Sequence, residues 1–203
     1  MIMNLICLVL SLTIQLRDID TVSIKLISEV IHVKSAEETF ELNVKITNTT
    51  KRNLLLYNFR SEPEQALFEE SFYCNDEIAA RPTLIVYDEN LIPIFSRPRM
   101  PAEINYKPIT DEVLENVIDE QRAKFRSALQ IVSADGSTTV SMKGNLKDFH
   151  LTSGIYYIKF VYSSGFYNSN MVSENQVRQD EIKYKAEEFK GCVSSDTVKL
   201  IVE

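Results

Sequence analysis

Glycine is scarce in this chain, with 5 in 203 residues, tryptophan is absent and histidine occurs only twice. That glycine content is about a third of the usual share and excludes collagen-like and glycine-rich linker architectures. No glycine precedes Gly136, which removes the phosphate-cradling loops of P-loop and Rossmann proteins. Basic residues are in deficit, 22 Lys+Arg against 29 Asp+Glu, for a formal net charge of -7. A nucleic-acid partner is therefore not expected, because such binders need a basic face to neutralise phosphates. Apolar residues at 44% and charged residues at 25% match soluble globular domains, and exclude general disorder and a polytopic membrane protein. The length suits one compact domain of the larger all-β kind.

Catalytic groups are few. His32 follows a strand beside Val33 and Lys34, and His150 sits in Asp148-Phe149-His150-Leu151 ahead of a turn. A general base needs a partner within reach, and neither histidine has one nearby in sequence. No G-x-S-x-G nucleophile elbow is present. C-x-x-C, H-E-x-x-H and EF-hand loops are also missing, so neither a metal nor another cofactor is expected. Glu62, Glu64, Glu69, Glu70, Asp76 and Glu77, between Arg60 and Arg81, read as a solvated acidic loop, with calcium chelation as the alternative.

Residues 1–16, MIMNLICLVLSLTIQL, contain no charged side chain, and Arg17 opens a polar stretch. This length fits the apolar region of a secretory signal and is short for a membrane span. We expect a signal peptide over 1–16 and one mature domain over 17–203, secreted or periplasmic, with no integral membrane span. The alternative is a first strand buried in the core. Removing the leader takes Cys7 away and leaves Cys74 and Cys192, a pair that an oxidising compartment can join as a disulfide.

Beyond the leader, period-two alternation dominates. Val22, Ile24 and Leu26 alternate with Ser23 and Lys25, and Phe40, Leu42, Val44 and Ile46 alternate with Glu41, Asn43 and Lys45. Asn48-Thr49-Thr50-Lys51 makes a turn into Leu54-Leu55-Leu56-Tyr57. Thr83–Tyr87 and Leu91–Phe95 form a hairpin about Asp88-Glu89-Asn90, with Pro93 placing the second arm at a sheet edge. Leu129–Val132 and Thr138–Met142 flank a turn in which Gly136 can take positive φ. Tyr156, Ile158, Phe160 and Tyr162 share one face of a strand, as do Val198, Leu200 and Val202. Strands with turns between them predict an antiparallel sandwich.

Two insertions break the pattern. Pro93, Pro98, Pro101 and Pro108 hold the chain extended before a helix capped by Thr110 or Asp111. In it Leu114, Val117, Ile118, Gln121 and Phe125 sit at helical spacing, with acids early and Arg122, Lys124 and Arg126 late. In residues 163–190, Ser173-Glu174-Asn175-Gln176 is a capping box. The same segment opens with an aromatic and polar run, and Tyr162, Phe166, Tyr167, Asn168 and Asn170 are the candidate ligand contacts. The competing reading folds Phe166 and Tyr167 back over the sheet edge.

Leu151-Thr152-Ser153-Gly154-Ile155-Tyr156, followed by Ile158, Phe160 and Tyr162, resembles the L-x-x-G-x-Y approach to a penultimate strand in immunoglobulin-like sandwiches. Tyr156 stands where a tyrosine-corner residue would, its hydroxyl returning to nearby backbone. With the Phe40–Thr47 strand and the ending from Phe189 to Val202, the chain is similar to secreted immunoglobulin-like domains of bacterial proteins of unknown function. The resemblance implies an all-β, immunoglobulin-like antiparallel β-sandwich with one or two helical insertions, and it transfers no catalytic residues. Three functions compete. The first is an extracytoplasmic binding or adhesion module for a protein or glycan. The second is a proteinase-inhibitor-like or accessory module presenting residues 60–82 or 97–109, and the third is a hydrolase on a sandwich scaffold.

Overall fold

Phe40, Leu42, Val44 and Ile46 are all buried while Glu41 and Lys45 face solvent, as a half-buried strand requires. In the computed structural model, which describes residues 21–35, 39–74, 81–97, 110–164 and 171–203, they lie on β3 (Thr39–Asn48), between β1 (Val22–Leu26) and β9 (Gly136–Asn145) in an antiparallel sheet. Phe40 lies opposite Gly144, and its ring occupies the space a Cβ would need there.

A larger sheet runs in the order β2 (Val30–Val33), β13 (Val198–Val202), β10 (Gly154–Ser164), β6 (Arg81–Tyr87) and β5 (Glu64–Gln65). In addition, β12 (Gly191–Ser194) pairs with β10, and β7 (Pro93–Ile94) closes the β6 hairpin at the edge. The β2–β13 and β5–β6 pairs are parallel. A small third sheet consists of β11 (Ala186–Glu188), β4 (Asn53–Leu56) and β8 (Gln130–Val132). The protein is thus mostly β, in antiparallel and mixed sheets with few helices. Among the described residues the α-helices are the single turn α1 (Glu70–Tyr73), α2 (Asp111–Ser127) and α3 (Glu174–Tyr184). Thr110 caps α2 by accepting from Val113 N, and Ser173 caps α3 by accepting from Gln176 N. Among the described residues no helix is long and apolar enough to cross a membrane.

One apolar core joins the inward faces of all three sheets, with Val44, Ile46, Leu56, Leu84, Val86, Ile158, Phe160 and Leu200 at its centre. Where β3 passes into β4 and β8 into β9, both strands break at the same level, and the buried side chain of Asn48 replaces the lost ladder. Its Nδ2 donates to Arg52 O (2.7 Å) and Ser133 O (3.0 Å), and its Oδ1 accepts from Thr50 N (2.9 Å). In the facing turn the left-handed residue is Asp135 (φ 49°), not Gly136 as expected. Aspartate tolerates that conformation, and its carboxylate receives Lys51 Nζ at 2.9 Å. Tyr156 Oη donates to Thr152 O at 3.0 Å at the start of β10.

Tyr162 requires a correction. Expected among the ligand contacts, it is fully buried on the inner face of β10, and its hydroxyl donates to Tyr57 O at 2.8 Å. Burial drives its phenol pKa upward, well beyond the ordinary range. Its parity on the strand matches Ile158 and Phe160, and parity decides the face. The connection after it is also more ordered than a loop, since it carries α3, β11 and β12 before β13 begins.

Candidate binding surface

The outer face of the large sheet is buried where the inner face would lead one to expect solvent. Ile85 and Val161 point away from the main core, yet both are inaccessible, and β6 consequently reads as a continuous apolar run. The cover is the segment from β5 to Cys74. Ala66 N donates to Leu84 O at 2.9 Å, and Ala66, Tyr73, Ile85 and Val161 form a second small core, with Tyr87 and Cys192 at its margin.

Four links hold this cover in place. Cys74, directly after α1, is bonded to Cys192 of β12, with Cα atoms 5.2 Å apart. The Tyr73 hydroxyl accepts from Leu67 N (2.6 Å) and Phe68 N (3.1 Å), closing the loop on itself. Glu70 Oε2 pairs with Lys159 Nζ of β10 at 2.7 Å, both only partly exposed, and Glu64 pairs with Arg81. Burial, followed by the Glu70 carboxylate, raises the pKa of the Tyr87 phenol beneath the loop.

With its backbone so constrained, the loop turns three large apolar side chains outward. Leu67, Phe68 and Phe72 are 45%, 48% and 40% exposed. Phe68 and Phe72 lie against each other, ring centroids 4.1 Å apart. Single exposed apolar residues need no explanation, but a contiguous cluster on a rigid support is the composition of an interaction site. By its charges alone this segment reads as a solvated acidic loop, and the cluster is not evident. The available signal was a cysteine preceded by Leu67, Phe68, Phe72 and Tyr73 within an otherwise acidic stretch. Of the acids, Glu64 and Glu70 are engaged by cations, while Asp76 and Glu77 lie outside the described residues.

The expected ligand contacts Phe166, Tyr167, Asn168 and Asn170 lie outside the described residues, as do residues 1–16. Val172, just after that stretch, packs with Tyr57 and Phe125. Beside them the buried Asp180 accepts from Tyr57 Oη (3.0 Å) and Gln176 Nε2 (3.1 Å), and pairs with Arg126 Nη2 (3.4 Å). Burial, then the hydrogen bond to Asp180, raises the Tyr57 pKa. This node ties α2 and α3 to the sheets.

His32 Nδ1 stands 4.0 Å from Glu203, and His150 Nε2 lies 3.1 Å from Arg97 O. Among the described residues neither histidine hydrogen-bonds a serine or cysteine side chain. Among the described residues no group of three His, Cys, Asp or Glu side chains is arranged to hold a metal. An open groove of about 470 Å³ lies between Lys51, Arg52 and Lys185 on one hand and Glu181 and Glu187 on the other. Across it, Arg52 Nη1 donates to both carboxylate oxygens of Glu187, at 2.6 and 2.7 Å. Comparison with protein-family models finds no match, and comparison with curated protein sequences finds none either.

Proposed function

We propose that this chain is a non-catalytic, extracytoplasmic binding module that recognises a partner protein through Leu67, Phe68 and Phe72. The observation that carries the reading is the pair of exposed rings in mutual contact on a loop fixed by the Cys74–Cys192 bond and the Tyr73 hydroxyl. A rigid anchor loses little conformational freedom on binding, so its apolar area converts efficiently into affinity. A protein partner is favoured over a glycan because the polar groups beside the rings, Glu70 and Lys159, are already paired and unavailable to sugar hydroxyls. A disulfide persists in oxidising compartments, which supports secretion or a periplasmic location together with the apolar leader.

The strand order supports an immunoglobulin-like sandwich. With β3, β6, β9, β10 and β13 taken as strands B, C, E, F and G, B and E share one sheet and C, F and G the other. The same locked loop favours a second reading, a proteinase-inhibitor-like module, since inhibitors present a rigid exposed segment to the enzyme.

The test is a library of extracytoplasmic proteins, a glycan array and a panel of proteinases, each probed with the native chain and with Phe68→Ala/Phe72→Ala. Binding to a protein that falls at least about tenfold in the variant, roughly 1.4 kcal/mol, at an unchanged melting temperature supports the proposal. Binding that the variant retains, or binding to glycans alone, overturns it. Proteinase inhibition lost in the variant would select the second reading.

A further inference from the structure

We propose that the outer face of the sheet formed by β1, β3 and β9 binds a linear polyphosphate chain across Lys25 and Lys45. The register places Lys25 of β1 directly opposite Lys45 of β3, and Lys45 directly opposite Thr139 of β9. Residues opposed in this way on antiparallel strands stand about 5 Å apart at Cβ, where like charges repel. Both lysines are exposed, and among the described residues neither side chain has an ion-pair or hydrogen-bond partner.

The chain has acids in excess, 29 against 22 basic residues, yet the two lysines face each other without one. Among the outward positions of the three strands the acid is Glu41. It lies four residues from Lys45 along β3, about 13 Å away at 3.3 Å per residue. Its Oε1 accepts from Asn43 Nδ2 at 3.3 Å, and it stands opposite Lys143 of β9. A lysine on an edge strand guards against unwanted strand pairing, which accounts for Lys25. Lys45 is on the central strand, where that reason does not apply.

An anion lying between the two ammonium groups turns their repulsion into two charge-assisted contacts. Hydroxyl donors surround the place, with Thr139 in the same row and Ser23, Thr47 and Ser137 in the next. Such hydroxyls donate to phosphate oxygens, and these four make no side-chain hydrogen bond among the described residues. No outward position of the three strands carries an aromatic ring. Nucleobases therefore have no platform to stack on, and sugar rings have no aromatic to pack against. A polymer of phosphate alone needs neither. Lys143, four residues beyond Thr139, extends the cationic line by about 13 Å, a distance that a chain spans and a single phosphate ion does not. The face lies across the core from the loop bearing Phe68 and Phe72, and the inference does not rest on that loop.

Isothermal titration of the full chain with long-chain sodium polyphosphate tests it. Binding is expected at low salt and should weaken between about 50 and 200 mM salt. Lys25→Ser/Lys45→Ser should lower the affinity at least about tenfold. The melting temperature of the free variant should hold or rise, because a like-charge pair has been removed. Lys34→Ser/Arg178→Ser takes the same two charges from exposed positions elsewhere and should leave the affinity within about twofold of native. Absence of binding at low salt overturns the proposal. So does binding that Lys25→Ser/Lys45→Ser retains, or that both double variants lose equally. Tighter binding to heparin or to single-stranded DNA than to polyphosphate overturns the assignment of the ligand.

Discussion

The segment from Glu64 to Cys74 and helix α2 both interrupt the run of strands, and both expose large apolar side chains, but they are held in opposite ways. The first has little regular structure of its own, only two strand residues and one helical turn. It is nonetheless fixed by a disulfide, a tyrosine hydroxyl and two ion pairs to the sheet beneath. The second is a regular, well-capped helix whose first 14 residues are all exposed. Regular secondary structure and a fixed position are therefore separate properties. Local hydrogen bonding supplies the first, while long-range contacts supply the second.

Opening the disulfide should have the largest effect. Cys74→Ser/Cys192→Ser removes a link across a sequence separation of 118 residues, and a loss of about 3–4 kcal/mol is expected from the freed loop entropy. Denaturant melts should show that loss. Hydrogen exchange should also show Leu67 and Phe68 amides losing protection while α2 is unaffected. If α2 loosens equally, the two regions are not independent.

Phe125→Ala addresses the other region. Truncating the ring that anchors α2 on Tyr57 should cost about 2–3 kcal/mol, below the usual range for a buried phenylalanine because the local cluster is small. The amides of 111–127 should then exchange freely, with the Cys74 segment unchanged. Retained protection along α2 would mean that something other than Phe125 holds the helix.

The smallest effect is on the pH dependence. Tyr57, under the α2 anchor, and Tyr87, under the stapled segment, both have pKa values raised above the ordinary 10.0. In each case the folded protein retains a proton that the unfolded chain loses, so stability is fully present below about pH 10 and declines as pH rises beyond it. The maximum slope is about 1.4 kcal/mol per pH unit for each group. Melting temperatures between pH 9 and about 11.5 should fall. Tyr57→Phe should flatten the decline more than Tyr87→Phe, because burial and Asp180 act together on Tyr57. Equal slopes in the two variants would show that the two phenols sit in equivalent environments.

Local features are legible in the linear chain. Alternation placed the strands around Phe40–Ile46 and Tyr156–Tyr162, and cap residues placed α2 and α3. Asp88 placed the β6–β7 hairpin, where its Oδ1 accepts from Asn90 N and Ile92 N. Each of these signals acts within a few residues, where the chain's own stereochemistry decides. What each face meets is set by long-range packing. Tyr162 was a candidate contact until β10 turned it inward, and Ile85 and Val161 became core only because the Ala66–Cys74 segment folds across them. Leu114, Val117 and Ile118 have the spacing of a buried face and remain exposed. Burial belongs to pairs of surfaces brought together from distant parts of the chain, and no periodicity within one segment specifies its partner.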